Sequence, residues 1–95
     1  MIAQGQPANR LFVGGVPFTM TCEDLAGLFR RRGISIDSAG VVRAPDSGRS
    51  LGFGFVDLAA GQDMLKAIRR LDGMRLEGRT LLVSEARPRR NRSRV

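Results

Sequence analysis

Three phenylalanines in this chain are spaced as a group that could act together. Phe53 and Phe55 alternate with glycines in Leu51-Gly52-Phe53-Gly54-Phe55-Val56-Asp57-Leu58. Phe12 stands in the short apolar run Leu11-Phe12-Val13-Gly14-Gly15-Val16. Residues two apart on a strand share a face, so Phe53 and Phe55 point the same way if their segment is extended. A flat ring turned outward can stack on an unpaired nucleobase, a contact worth about 1–3 kcal/mol per base. The chain has only five aromatic residues, all phenylalanine, and three on one open surface call for a cover. The ordinary alternative puts such rings in the core with the sheet reversed. The glycine alternation argues against it.

The second chemically distinctive group is basic. Net charge is +7, and residues 86–95 hold Arg87, Arg89, Arg90, Arg92 and Arg94 with no acid. That stretch contributes +5, leaving +2 for the rest, so attraction for a polyanion is concentrated at one end. Other chemistry lacks its residues. Histidine is absent and Cys22 is the sole cysteine, which removes an internal disulfide, a cysteine-rich metal site and histidine acid–base catalysis. No apolar run reaches the about 18 residues of a membrane span, and Met1 to Asn9 lacks the pattern of a secretory signal. No catalytic residue, metal or cofactor is expected. A cytoplasmic, reducing location fits these features.

The elements that must position these groups follow from periodicity. Arg10 to Val16 reads as a strand with Leu11 and Val13 on one face and Phe12 on the other, ended by Pro17. A helix starts at Thr21, with Asp24 closing a capping box, and carries the stripe Leu25, Leu28 and Phe29 before Gly33 stops it. Ile34 to Arg43 is a strand centred on Val41 and Val42, the cluster from Ala44 to Ser50 is a turn, and Leu51 to Leu58 is the returning strand. A second helix from about Gly61 to Leu71 presents Met64, Ala67, Ile68 and Leu71 on one face. Arg79 to Glu85 is the last strand, with Leu81 and Val83 inward and Leu82 and Ser84 outward.

The order β-α-β-β-α-β predicts an α+β, ferredoxin-like sandwich: a four-stranded antiparallel sheet with two helices on one face and the other face bare. Gly52 and Gly54 fall on the helix side, where their size is expected to let a helix approach. Residues 1–8 are expected to be flexible, 9–86 to form the domain, and 87–95 to be a disordered arginine-rich tail.

At this point the sequence resembles a known family. Leu11 to Val16 is similar to the six-residue motif of the RNA recognition motif, and Leu51 to Leu58 to its eight-residue partner. The likeness runs from about Asn9 to Ala86, and the exit Glu85-Ala86-Arg87-Pro88-Arg89 is similar to that of small bacterial proteins with one such domain. The resemblance implies binding of single-stranded RNA, with Phe12 and Phe55 stacking successive bases and Phe53 packing on a ribose. It implies that Ser84, Glu85, Ala86 and Arg87 read base edges, and that the 2′-hydroxyl separates RNA from the more weakly bound single-stranded DNA. Leu82 joins them as an apolar residue on the same face, and Arg89 as a phosphate contact in the tail.

Two departures matter. The eight-residue motif usually opens with a cation, and Leu51 stands there; Arg43 or Arg49 is expected to compensate. Its last position is usually aromatic, and Leu58 takes it on the core side. Among rivals, an acylphosphatase-type enzyme needs an asparagine to position water, yet the only asparagines are Asn9 and Asn91. The stronger rival is a domain of this fold that binds an apolar peptide through Leu51, Leu82 and the phenylalanines. A monomer is expected.

Overall fold

A computed structural model of the chain describes residues 9–86. The expectations for residues 1–8 and for the tail, Arg87 and Arg89 included, fall outside them. The elements are β1 (Arg10–Gly14), α1 (Cys22–Arg31), β2 (Ile36–Arg43), β3 (Ser50–Leu58), α2 (Met64–Leu71), β4 (Arg75–Leu76), β5 (Arg79–Thr80) and β6 (Leu82–Glu85). Four strands form one antiparallel sheet in the order β2-β3-β1-β6. This is the ferredoxin-like α+β arrangement, with α1 and α2 packed over one face.

Alternation along the strands builds the core. Leu11 and Val13 of β1, Val56 and Leu58 of β3 and Val83 of β6 are buried with Leu25, Leu28 and Phe29 of α1 and Ala67 and Leu71 of α2. Helix α1 begins as expected: the Thr21 hydroxyl accepts from the Asp24 amide at 3.1 Å, and the Asp24 carboxylate accepts from the Thr21 amide at 3.0 Å. Two orphan amides at the helix start are thereby satisfied reciprocally.

Three expectations are corrected by the geometry. Helix α2 begins at Met64, not near Gly61, because Asp63 is its N-cap and accepts from the Lys66 amide at 3.2 Å. Gly61, at φ +86°, belongs to the preceding turn. The strand expected from Arg79 to Glu85 is two strands. β5 pairs with β4 in a separate small hairpin, and only β6 joins the main sheet. Between them the buried Leu81 donates its amide to the Met74 carbonyl at 2.8 Å and accepts from Gly73 at 2.8 Å.

The third correction concerns the glycines of β3. A Cβ on Gly54 would collide with the Gly40 carbonyl oxygen of β2, and one on Gly52 would stand 3.3 Å from the Phe18 ring. Their smallness admits a neighbouring strand and a loop ring, not a helix. Gly52, at φ +84°, lies where β3 spends extra residues against β2, between the pairs Val41–Gly54 and Arg43–Ser50. Such a bulge bends a strand and re-aims its side chains.

Candidate nucleic-acid interface

The sheet face away from the helices carries the aromatic group. Phe12 pairs directly with Phe55 across β1 and β3, and Gly14 with Phe53. Partners across an antiparallel pair share a face, so the three rings converge. Their centroids lie 5.7 Å (Phe12–Phe53), 5.7 Å (Phe12–Phe55) and 6.3 Å (Phe53–Phe55) apart. The Phe12 ring leans over Gly14, where a Cβ would stand 3.2 Å from its Cε2. All three rings are half-buried, Phe55 meeting the other two edge-on and Phe12 tilted 34° to Phe53.

Other residues singled out in the sequence divide between the two sides. On β6, Ser84 stands opposite Phe12 and Leu82 opposite Gly14, both exposed on the aromatic face. Leu51 is also exposed, at 50%, and Leu82 at 57%. Glu85 pairs with the buried Leu11, so alternation directs its side chain away from the rings. Ala86 continues the ladder, donating its amide to the Arg10 carbonyl at 2.9 Å. Arg43 pairs with the buried Ser50 and turns its guanidinium to the Gly48 carbonyl at 3.1 Å. It shares with Phe18, Arg49 and Ser50 a recess at the hairpin end of the sheet. Both arginines thus stand at the recess beside Phe18, a ring outside the group of Phe12, Phe53 and Phe55.

The cation beside the rings is one that sequence reasoning passed over. Arg10 lies on the aromatic face, its guanidinium 5.8 Å from the Phe55 centroid. It is paired with Asp57: Nε donates to Oδ1 at 2.7 Å and Nη2 to Oδ2 at 3.2 Å. The Ser38 hydroxyl donates to the same Oδ2 at 2.9 Å. One residue from each of three adjacent strands thus forms a polar row next to Phe55. A signal for it exists, since Arg10 is two residues before Phe12 and Asp57 two after Phe55, so each shares its strand's outward face.

The hydrogen bond from Arg10, with smaller help from Ser38 and from the nearby charge, holds the Asp57 carboxyl below its ordinary value despite partial burial. In the unfolded chain Asp57 takes up its proton near the usual pH of about 4. The stability contributed by the pair is therefore complete above that pH and drains away as pH falls through the lowered folded value. Asp57→Asn is expected to lose this part of its acid sensitivity: its urea midpoint drops less than the parent's between pH 6 and pH 3. An equal drop in both proteins would show that the pair does not persist in solution.

Cys22 has a structural use, its Sγ accepting from the Val41 amide at 3.3 Å and tying α1 to β2. Among the described residues no group of histidine, cysteine, aspartate or glutamate is placed to hold a metal ion.

The described residues form a split αβ sandwich with three clustered rings on the sheet face opposite α1 and α2. Residues 11–82 match the family model of the RNA recognition motif. The chain belongs to that family. It is 44% identical over 88 residues to the 28 kDa chloroplastic ribonucleoprotein of Nicotiana sylvestris, covering 90% of this chain and 32% of that protein. Its fold matches a solved Sxl-lethal protein/RNA complex with a TM-score of 0.77 and 36% identity, over 85% of this chain and 48% of that one. It also matches the Rna15 RRM with bound RNA (GU), at a TM-score of 0.71 and 25% identity, over 84% of each chain. The chain spans about a third or less of the curated relatives, 32%, 23% and 34% of the three from Nicotiana sylvestris, Arabidopsis thaliana and Spinacia oleracea.

These relatives overturn the expected cytoplasmic location, since all three are named chloroplastic. One unpaired cysteine points to a reducing medium, and nothing in it separates one reducing compartment from another. They are also plant proteins, where the exit segment suggested a likeness to bacterial ones.

Proposed function

We propose that this domain binds single-stranded RNA across its open sheet face, as a monomer and without a catalytic step. The observation that carries the reading is the convergence of Phe12, Phe53 and Phe55, with centroids 5.7–6.3 Å apart on the sheet face opposite α1 and α2. Phe12 and Phe55 stack successive bases, and Phe53 packs against a sugar between them. Ser84 and the backbone of Glu85 and Ala86 meet base edges at the end of β6, with Leu82 as an apolar neighbour. The strand then meets Arg87 and Arg89. Arg43 and Arg49, at the hairpin end, act only as distant attractive charge.

The ligand class is tested by titrating labelled single-stranded RNA, the same RNA annealed to its complement, and the matching single-stranded DNA. Bases must be splayed out to stack on rings, so the single strand is expected to bind and the duplex to bind weakly. DNA falls between them for want of a 2′-hydroxyl. Equal binding of single strand and duplex would mean that charge alone attracts RNA.

The tail has its own signature. Up to five arginine–phosphate contacts, each adding roughly −0.7 to the log–log salt slope on a single strand, predict a contribution of at most about −3.5. A chain ending at Ala86 is expected to bind more weakly with a correspondingly shallower slope. An unchanged slope would remove the tail from the interface.

The exposure of Leu51 and Leu82, with Leu82 opposite Gly14 on the aromatic face, supports a second reading, an apolar peptide lying there. Peptide binding of that kind responds little to salt, which separates it from RNA binding.

A further inference from the structure

The row Arg10–Asp57–Ser38 has no role in stacking, yet it stands against Phe55 on the face proposed for RNA. We propose that Arg10, locked by Asp57, reads the Hoogsteen edge of a guanine stacked on Phe55 and so gives the domain a guanine preference at that position. This inference rests on the RNA-binding reading and adds to it the identity of one base.

The donor inventory sets the chemistry. A guanidinium has five N–H donors in a rigid fork. The Nε donor and one on Nη2 go to the Asp57 carboxylate at 2.7 and 3.2 Å, which leaves both donors of Nη1 and the second of Nη2. These form a two-pronged edge whose direction is fixed, because Asp57 is itself held by the Ser38 hydroxyl at 2.9 Å. The fork is thus pre-organised before any ligand arrives, and little side-chain freedom remains to be lost on binding.

Position and charge narrow the ligand. The guanidinium carbon lies over the Phe55 ring at 5.8 Å from its centroid, within reach of a base placed on that ring. Arg10, Ser38, Gly40, Phe55 and Asp57 are among the residues that line a shallow recess there. Gly40 pairs with Phe55 across β2 and β3 and has no Cβ to fill the floor. A phosphate on the free edge would also meet the negative charge of Asp57, which offsets much of the attraction of Arg10. A neutral acceptor pair escapes that repulsion and keeps both directional bonds. Guanine offers adjacent acceptors at N7 and O6; adenine offers N7 beside an amino donor, which would face another donor; uracil offers a single O4, and cytosine an amino donor.

The test uses the full chain and short oligouridine RNAs carrying one central guanosine, adenosine or 7-deazaguanosine, read by fluorescence anisotropy. The guanosine probe is expected to bind roughly five- to 150-fold more tightly than the adenosine probe, the range of one bidentate contact. The 7-deaza probe, which lacks N7 but keeps the Watson–Crick edge, is expected to lose most of that advantage. Arg10→Lys keeps the charge and loses the fork, and it is expected to bind the guanosine and adenosine probes alike while melting near the parent temperature. Equal binding of guanosine and adenosine by the parent overturns the assignment. So does a guanosine preference that survives in Arg10→Lys or with the 7-deaza base. Binding of all probes without discrimination sinks this inference alone, whereas binding of none sinks the RNA reading with it.

Discussion

Phe12→Ala combined with Phe55→Ala is expected to lower affinity for single-stranded RNA by at least about thirty-fold while the chain stays folded. Each stacked base contributes about 1–3 kcal/mol, and the two substitutions remove both rings proposed to take bases. Folding should survive because the rings are not in the core. That core is made of Leu11, Val13, Leu25, Phe29, Val56, Leu58, Leu71, Leu81 and Val83, all on the other side of the sheet or beneath it. What the double variant loses in the free protein is mutual packing of rings, about 0.5–1.5 kcal/mol per aromatic pair, against a total stability on the order of 5–15 kcal/mol. Circular dichroism and a melting curve establish the fold, and anisotropy reads the affinity. A folded double variant that binds like the parent would transfer the RNA to the arginine tail. The Phe12–Leu51–Leu82 face would then be a place to seek a peptide.

The largest effect on stability is expected from Gly15→Ala. Gly15 follows β1 at φ +70°, a region that costs other residues about 1–2 kcal/mol. A Cβ built there also collides with the Thr80 carbonyl oxygen, with the Thr80 carbonyl carbon at 3.0 Å. The obstacle is backbone, and no flexible side-chain end can swing aside. The segment from Thr80 to Leu81 must shift, and Leu81 is fully buried. Strain plus displacement amounts to about 2–4 kcal/mol. At about 4–8 °C per kcal/mol for a domain of this size, the melting temperature falls by roughly 8–32 °C. Gly27→Ala is the natural control. It lies inside α1 with the nearest atom, Arg31 Nη2, at 3.8 Å from the added Cβ, and it should gain up to about 1 kcal/mol. If the two variants melt together, the packing of Thr80 on Gly15 is wrong.

How much of this could be read in the sequence depends on the range of each interaction. Local signals were legible: the Thr21–Asp24 box, the stripe Leu25–Leu28–Phe29, and the outward placement of Phe12, Phe53 and Phe55 all follow from residues within one or two turns or one strand. What escaped is what depends on register and approach between strands. Arg10 and Asp57 each had the outward parity of their strands, but only the pairing of Arg10 with Asp57 across β1 and β3 brings them together. Arg43 and Arg49 looked like neighbours of Leu51 by count. The register shift between β2 and β3 sets Arg43 opposite Ser50, and both arginines line a recess with Phe18 at the hairpin end. The split of the last strand was hidden for a similar reason: Glu77 at φ +50° and Gly78 at φ +80° form a hairpin turn that pairs Arg79–Thr80 backward with Arg75–Leu76. No periodicity records that choice.

The strand order carries a consequence for how the domain comes into being. β1 is made first yet lies inside the sheet, bounded by β3 on one side and by β6, the last strand, on the other. Long loops must close before such pairings repay their entropy. A growing chain that has just finished β3 already holds all three rings, but half of the polar backbone of β1 still lacks its partner. Until Leu82–Glu85 emerges and docks, the aromatic face has an open edge beside Phe12 that another strand could occupy. The final few residues of the domain therefore set the moment at which the surface becomes a finished platform, and synthesis arrested just short of them would leave a sticky sheet in place of a binding site.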